Sequence, residues 1–124
     1  MRLLLDTHIL IWWAHEVPIA PDAAIAIRSP ENRVVVSAAS IWEAEIKIRI
    51  GKLELEGDLA TESAEHGFEP MAINMDHAVA AGRLPPHPGD PFDRMLVAQA
   101  QLEGLTIVTR DPVFDDYSVA VLRA

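Results

Sequence analysis

Four acidic residues lie where an apolar run ends or where a helix is expected to begin: Asp6, Glu43, Asp93 and Asp111. Each has an ordinary structural explanation when it is taken singly. Asp6 could cap the helix that follows it, and Glu43 could complete a capping box begun by Ser40. Asp93 lies in the first turn of a helix that Asp90 would cap, and Asp111-Pro is a typical helix start. None of these explanations accounts for all four positions together.

Their joint placement favours metal chemistry. In an open parallel α/β sheet, the ends of the strands and the starts of the following helices meet at one edge, where such folds bind ligands. Four carboxylates at that edge repel one another unless a cation lies between them, and Mg²⁺ and Mn²⁺ prefer carboxylate oxygens. The chain has no cysteine and no HExxH motif, so thiolate metal sites are excluded and a zinc hydrolase is disfavoured. The acids therefore predict metal-assisted hydrolysis of phosphodiesters.

The elements that must position these acids alternate between strands and helices. Apolar and β-branched runs predict strands at residues 2–5, 34–36, 69–73 and 106–109, with an edge strand at 119–122. Helices are predicted at residues 9–14, 21–29, 40–50, 53–67, 75–82 and 91–103, and the breaker-rich segment 84–90 is predicted to be a loop. This order implies parallel crossovers, and hence an α/β fold: one three-layer α/β/α domain over residues 1–124 with a central parallel sheet of four to five strands.

Composition narrows the function further. Of the 124 residues, 50% are hydrophobic, which excludes intrinsic disorder, and the net charge of −9 argues against sequence-independent binding of duplex DNA. The apolar stretch near the start is interrupted by Asp6, Thr7 and His8, so it is too short and too polar to span a membrane. A signal-peptide cleavage pattern is also missing, and a cytoplasmic protein is expected.

Four sequence blocks together resemble a known family. They are LLLDTH at residues 3–8, SIWEAEIK at 40–47, DPFDRMLVAQA at 90–100 and IVTRD at 107–111. In this order they resemble the PIN domain, and specifically the VapC toxins of toxin–antitoxin pairs. The resemblance implies an endoribonuclease that depends on Mg²⁺ or Mn²⁺ and uses metal-activated water. It also implies a homodimer that a cognate antitoxin holds inactive, and it places the metal-binding and catalytic residues at Asp6, Glu43, Asp93 and Asp111.

Five basic residues near these acids are candidates for contacts to the RNA backbone: Lys47, Arg49, Lys52, Arg94 and Arg110. Lys47 follows Glu43 by four residues, so an ion pair within the helix is the alternative. Arg94 and Arg110 are each adjacent to a site acid and could pair with it instead. Two threonines, Thr7 and Thr109, could orient water or bond to nearby backbone.

Other functions are compatible with an acidic α/β domain. A PIN-like module that binds RNA or protein without cleaving it would keep the same fold, and a metal-dependent cleavage assay separates it from the nuclease. A phosphorelay receiver needs a lysine late in the chain, whereas the last lysine is Lys52. A dehalogenase-like phosphatase needs a second aspartate two residues after Asp6, where His8 stands.

Overall fold

A computed structural model describes all residues 1–124, and pairs of α-helices separate the first four strands along the chain. The strands are β1 (Arg2–Leu5), β2 (Arg33–Ser37), β3 (Glu69–Met71), β4 (Thr106–Thr109) and β5 (Val121–Arg123). The α-helices are α1 (Thr7–Ala14), α2 (Pro21–Arg28), α3 (Ala38–Arg49), α4 (Leu59–Glu65), α5 (Met75–Arg83) and α6 (Pro91–Glu103), and a 3₁₀ helix spans Pro112–Asp116. No helix combines the length and the apolar character needed to cross a membrane.

All five strands are parallel and lie in the order β3-β2-β1-β4-β5. The chain first moves outward from β1 to β3 and then returns to add β4 and β5 on the other side of β1. The order of the strands therefore reverses between β1 and β4. Such a reversal opens a crevice at the carboxyl ends of the two strands, which is the usual ligand position in open α/β sheets.

The central strands are apolar on both faces because helices cover both sides of the sheet. Leu3 and Leu5 belong to one hydrophobic core, together with residues of α1 and α2, whereas Leu4 belongs to a second core with residues of α6. Successive side chains of a strand point to opposite faces, which explains this division. The predicted three-layer α/β/α fold is confirmed, with a parallel sheet of five strands.

Three predicted elements are shorter in the structure. The acidic stretch 53–67 is helical only from Leu59, because Gly57 has a φ of +82° and Asp58 caps the helix by accepting a hydrogen bond from the backbone of Ala60. Strand β3 ends at Met71 rather than at residue 73, and the edge strand begins at Val121 rather than at residue 119.

The predicted start of α3 is wrong by two residues. Ser37 is its N-cap and accepts a hydrogen bond from the backbone N–H of Ala39 at 3.0 Å. Ser40 lies inside the helix, where it is buried and its hydroxyl has no hydrogen-bond partner. The capping box proposed for Ser40 and Glu43 therefore does not exist, and the Glu43 carboxylate is available for other contacts.

A buried polar network links α3 to α6. The Ser37 hydroxyl donates to Oε1 of Gln99 at 2.6 Å, and both residues have no exposed surface. The amide Nε2 of Gln99 donates to the carbonyl of Ala72 at 3.3 Å and lies 3.2 Å from Nδ1 of His77. The other ring nitrogen of His77 lies 2.9 Å from the Glu103 carboxylate. The network joins the N-terminus of the helix that carries Glu43 to the helix that carries Asp93.

Candidate functional site

Asp6 and Asp111 follow the two strands on either side of the crevice. Asp6 caps α1, as predicted, and its Oδ1 accepts a hydrogen bond from the backbone N–H of Ile9 at 2.9 Å. The hydroxyl of Thr109, the last residue of β4, donates to Oδ2 of Asp6 and accepts a hydrogen bond from the backbone N–H of Asp111 at 3.0 Å. Thr109 thus ties together the two acids at the point where the strand order reverses.

Glu43 is buried on α3, and both of its carboxylate oxygens have partners. The hydroxyl of Thr7 donates to Oε1 at 2.6 Å, and Nζ of Lys47 donates to Oε2 at 2.9 Å. The intrahelical ion pair that was the alternative for Lys47 is therefore present. Because Thr7 follows Asp6 directly, its hydrogen bond also brings the start of α1 against the Glu43 side chain.

Asp93 is half-buried in the first turn of α6. Asp90 is the N-cap of this helix, as predicted, and its Oδ1 accepts a hydrogen bond from the backbone N–H of Asp93 at 2.8 Å. The ring of Phe92 packs edge-on against the ring of Trp42, with centroids 5.2 Å apart. Since Trp42 precedes Glu43, this contact between α3 and α6 lies next to both acids.

The loop that leads into α6 is held by Arg94. Its guanidinium donates to the carbonyls of Ala81, Leu84 and Pro85 at 2.8–3.2 Å and to the hydroxyl of Tyr117. These four hydrogen bonds use its Nη1 and Nη2 groups, so the geometry favours a structural role over the predicted contact to phosphate. Arg94 also forms no ion pair with Asp93.

The remaining basic candidates differ in their surroundings. Arg49 and Lys52 are exposed near the end of α3 and form no ion pair. Arg110 does not pair with a site acid: its guanidinium lies over the ring of Trp12, 4.6 Å from the centroid. The neighbouring Trp13 faces elsewhere, against Arg28, as expected for adjacent residues of one helix.

The electrostatics show that the acids lie near one another. Burial, followed by the negative charges of Asp90, Glu43 and Asp111, raises the pKa of Asp93 to about 7. Burial also raises the pKa of Asp6, with a smaller contribution from Asp111, against hydrogen bonds from Thr109 and Ile9 that lower it. Burial and the neighbouring acids therefore both disfavour the charged forms of Asp6 and Asp93.

This donor set is suited to a hard divalent cation in charge and in chemistry, because all four side chains offer carboxylate oxygens. The side chains do not form a ready ligand shell: no three His, Asp or Glu residues of the chain are arranged to hold an ion. Their oxygens are instead occupied by Thr7, Thr109, Lys47 and backbone N–H groups. Each carboxylate keeps unused lone pairs, so binding of an ion requires the side chains to converge rather than to lose all of these hydrogen bonds.

The raised pKa of Asp93 predicts that the protein in EDTA is less stable at about pH 8 than at about pH 5. Between the ordinary value of 3.8 and the folded value of about 7, the folded state holds a proton that the unfolded chain has released. The free energy of unfolding therefore falls as the pH rises through this window and levels off above it. Because Asp93 is only half-buried, we expect a loss of about 1 kcal/mol, or roughly 4 °C in Tm.

Thermal unfolding of Asp93→Asn across this pH range checks the prediction. The variant should lose the part of the pH dependence that Asp93 supplies and keep the part that the buried Asp6 supplies, while the exposed first-turn acid Asp76 of α5 provides the matched control Asp76→Asn. If Asp93→Asn keeps the pH dependence of the wild type, Asp93 is not its source.

The sequence alone pointed to Thr7 and Thr109 without identifying their partners. Both hydroxyls bond to site carboxylates rather than to nearby carbonyls. The contact between Arg110 and Trp12 could not be predicted from the spacing of charged residues along the chain. The spacing of His8 and Trp12, four residues apart on one helix, is the signal from which an aromatic face beside Asp6 could have been predicted.

Comparison with known proteins agrees with this geometry. Residues 3–120 match the model of the PIN domain family. Ribonuclease VapC22 of Mycobacterium tuberculosis is 32% identical over 117 residues, which cover 88% of this chain and 86% of that protein.

Solved structures share the fold. The chain matches VapBC2 from Rickettsia felis bound to a promoter DNA fragment with a TM-score of 0.72 and 14% identity, covering 100% of this chain and 99% of the other. It matches a toxin-antitoxin complex from Klebsiella pneumoniae with a TM-score of 0.66 and 23% identity, covering 97% and 95%. The family match over nearly the whole chain and the similarity to VapC22 show that this protein belongs to the PIN domain family, within its VapC group.

Proposed function

We propose that this protein is a Mg²⁺- or Mn²⁺-dependent endoribonuclease, and that it is the toxin of a toxin–antitoxin pair. The observation that carries the proposal is that four separate elements bring carboxylates to the crevice between β1 and β4, where burial and then the neighbouring negative charges raise the pKa of Asp93 to about 7. Membership of the VapC group and the similarity to a ribonuclease support the choice of RNA as substrate.

The four acids Asp6, Glu43, Asp93 and Asp111 would hold the cation. When bound, the ion would promote attack of water on phosphorus and offset negative charge on the phosphate. Thr109 and Thr7 keep the buried carboxylates of Asp6 and Glu43 in place through their hydrogen bonds. The ammonium group of Lys47 offsets the charge of Glu43 at Oε2, so a bound cation would compete with it electrostatically for this carboxylate.

Proton release accompanies loading of the site. The carboxyl of Asp93 carries a proton for much of the time at neutral pH, since its pKa is about 7. A carboxylate must be deprotonated to hold a metal, so binding of the cation competes with this proton. We expect Mn²⁺ affinity measured by calorimetry to be higher at about pH 8 than at about pH 6.

RNA cleavage tests the proposal directly. Purified protein is incubated with a mixture of cellular RNA in Mg²⁺, Mn²⁺ or EDTA, and the new ends are analysed. We expect cleavage only with the metal ions, leaving a 5′-phosphate and a 3′-hydroxyl. A 2′,3′-cyclic phosphate would contradict hydrolysis by water, because it forms when the 2′-hydroxyl of RNA attacks. Binding of RNA without cleavage in any of these conditions would favour a PIN-like module that binds RNA but does not cleave it.

We also propose a cognate antitoxin as the partner of this protein and, from its family, a homodimer. The fold neighbours include proteins solved as toxin–antitoxin complexes. An apolar groove of about 450 Å³ between α3, α4 and β3 exposes Trp42, Ile41 and Met71 and could receive apolar side chains of a partner. Co-expression with the product of the neighbouring gene should give a complex in which RNA cleavage is suppressed. If that product neither co-purifies nor inhibits, the toxin assignment fails even where cleavage is observed.

A further inference from the structure

A small pocket opens beside the acids that flank the crevice. It has a volume of about 290 Å³ and is lined by Asp6, His8, Trp12, Arg110 and Asp111. This volume is just below the range of about 300–1,000 Å³ that is typical of small-molecule sites. The occupant of the pocket is therefore no larger than a single nucleotide, and a folded RNA element is excluded.

Arg110 is the only cation that lines this pocket, and it is held away from the two acids there. Its Nη2 donates to the carbonyl of Ala124 at 3.1 Å, and its guanidinium packs on Trp12. It forms no ion pair with Asp6 or Asp111, although Asp111 is the next residue in the chain. A guanidinium has five N–H donors, so most of them remain available for an anion.

Two aromatic rings line the pocket beside Arg110. His8 and Trp12 lie one turn apart on α1, with ring centroids 5.9 Å apart and planes inclined by 45°. His8 is exposed and Trp12 is half-buried. An aromatic wall next to an arginine is the combination with which proteins bind unpaired nucleotides, because the rings contact the base and the guanidinium contacts the phosphate.

We propose that this pocket binds one unpaired nucleotide of the RNA, next to the bond that is cleaved. The base lies against His8 and Trp12, and the phosphate meets Arg110. This inference rests on the proposed function, because it assumes that an RNA strand enters the acidic crevice. It also implies that the base is held beside the acids rather than near the exposed Arg49 and Lys52.

The chain contains a matched internal control. Arg28 lies over the ring of Trp13 at 4.9 Å, so the adjacent tryptophan makes the same type of contact with an arginine. That pair borders a different cavity, which is lined mainly by apolar residues and lacks the site acids. Trp13→Ala and Arg28→Ala are therefore matched controls for Trp12→Ala and Arg110→Ala, because they remove the same types of side chain outside the proposed subsite.

The experiment compares the four nucleoside 5′-monophosphates with ribose 5-phosphate, which lacks the base. Binding is followed in Mg²⁺ buffer by NMR, using the indole N–H signals of the three tryptophans. We expect at least one nucleotide to shift the Trp12 signal and to bind about tenfold more tightly than ribose 5-phosphate, as stacking of one base on an aromatic side chain supplies. Trp12→Ala should remove this advantage, Arg110→Ala should weaken binding of both compounds, and the Trp13 and Arg28 controls should do neither.

Equal affinities for nucleotides and ribose 5-phosphate would overturn the inference, and so would shifts confined to Trp13 or Trp42. If Trp12→Ala does not fold, His8→Ala and Trp12→Leu provide the same comparison with smaller changes in packing. Nucleotide binding is measured without any cleavage, so the two proposals can fail separately. If the nuclease is active but nucleotides bind no more tightly than ribose 5-phosphate, only the proposed subsite is overturned.

Discussion

Asp6→Asn is expected to lower the rate of RNA cleavage by about 10²–10³-fold, which corresponds to about 3–4 kcal/mol of lost transition-state stabilisation. The substitution removes the negative charge from the carboxylate that Thr109 holds at the crevice. It keeps an oxygen that can accept the capping hydrogen bond from Ile9, and asparagine is as good an N-cap as aspartate. The effect on activity should therefore not result from loss of the fold.

The stability of Asp6→Asn distinguishes a loss of catalysis from a loss of the folded structure. Because burial raises the pKa of Asp6, the charged form is disfavoured in the folded protein, and replacing it with a neutral amide should leave the free energy of unfolding unchanged or higher above neutral pH. Asp22→Asn, at an exposed acid in the first turn of α2, is the matched control and should retain full activity. Wild-type cleavage by Asp6→Asn would exclude Asp6 from the site.

Gln99→Leu is expected to destabilise the protein by roughly 2–4 kcal/mol, although leucine is similar in size to glutamine and apolar. Gln99 is completely buried, and its amide group bonds to Ser37, His77 and the carbonyl of Ala72. Removing it leaves the Ser37 hydroxyl without its acceptor and the Ala72 carbonyl without this donor. Buried polar groups without partners cost far more than the hydrogen bond itself contributes.

Urea unfolding measures this loss, and the same helix supplies its control. Gln101 is two residues further along α6, is exposed, and makes one hydrogen bond to the carbonyl of Ser118. Gln101→Leu should change the free energy of unfolding by no more than about 0.5 kcal/mol. Equal effects of the two substitutions would show that the network does not stabilise the packing of α3 on α6.

The parallel sheet and the position of the acids could be predicted because each depends on local sequence. Runs such as Leu3 to Leu5 end abruptly at a polar residue, and in a parallel sheet such ends must gather at one edge. Asp6 and Asp90 were predicted as helix caps for the same reason, since capping involves residues only two or three positions apart.

What could not be predicted depends on contacts between distant residues or on competing local signals. Ser37 and Ser40 are both acceptable caps, and only packing decides that α3 begins after the first. A single glycine at position 57 divides a stretch whose charges otherwise favour a helix. The bonds from Thr7 to Glu43 and from Arg94 to its loop carbonyls join separate elements, so the spacing of residues along the chain cannot reveal them.

The long reach of the hydrogen bond between Thr109 and Asp6 has a consequence during protein synthesis. The two residues are 103 positions apart, and the strands before them pair only when β4 has been made. A ribosome delivers β1 to β3 and the first helices well before β4, so an unfinished chain contains Asp6 and Glu43 without Thr109 or Asp111. If the chain cuts RNA as proposed, it therefore cannot do so before β4 and Asp111 have been made. The proposed site is thus assembled only when β4 pairs with β1, late in the order in which the elements are made.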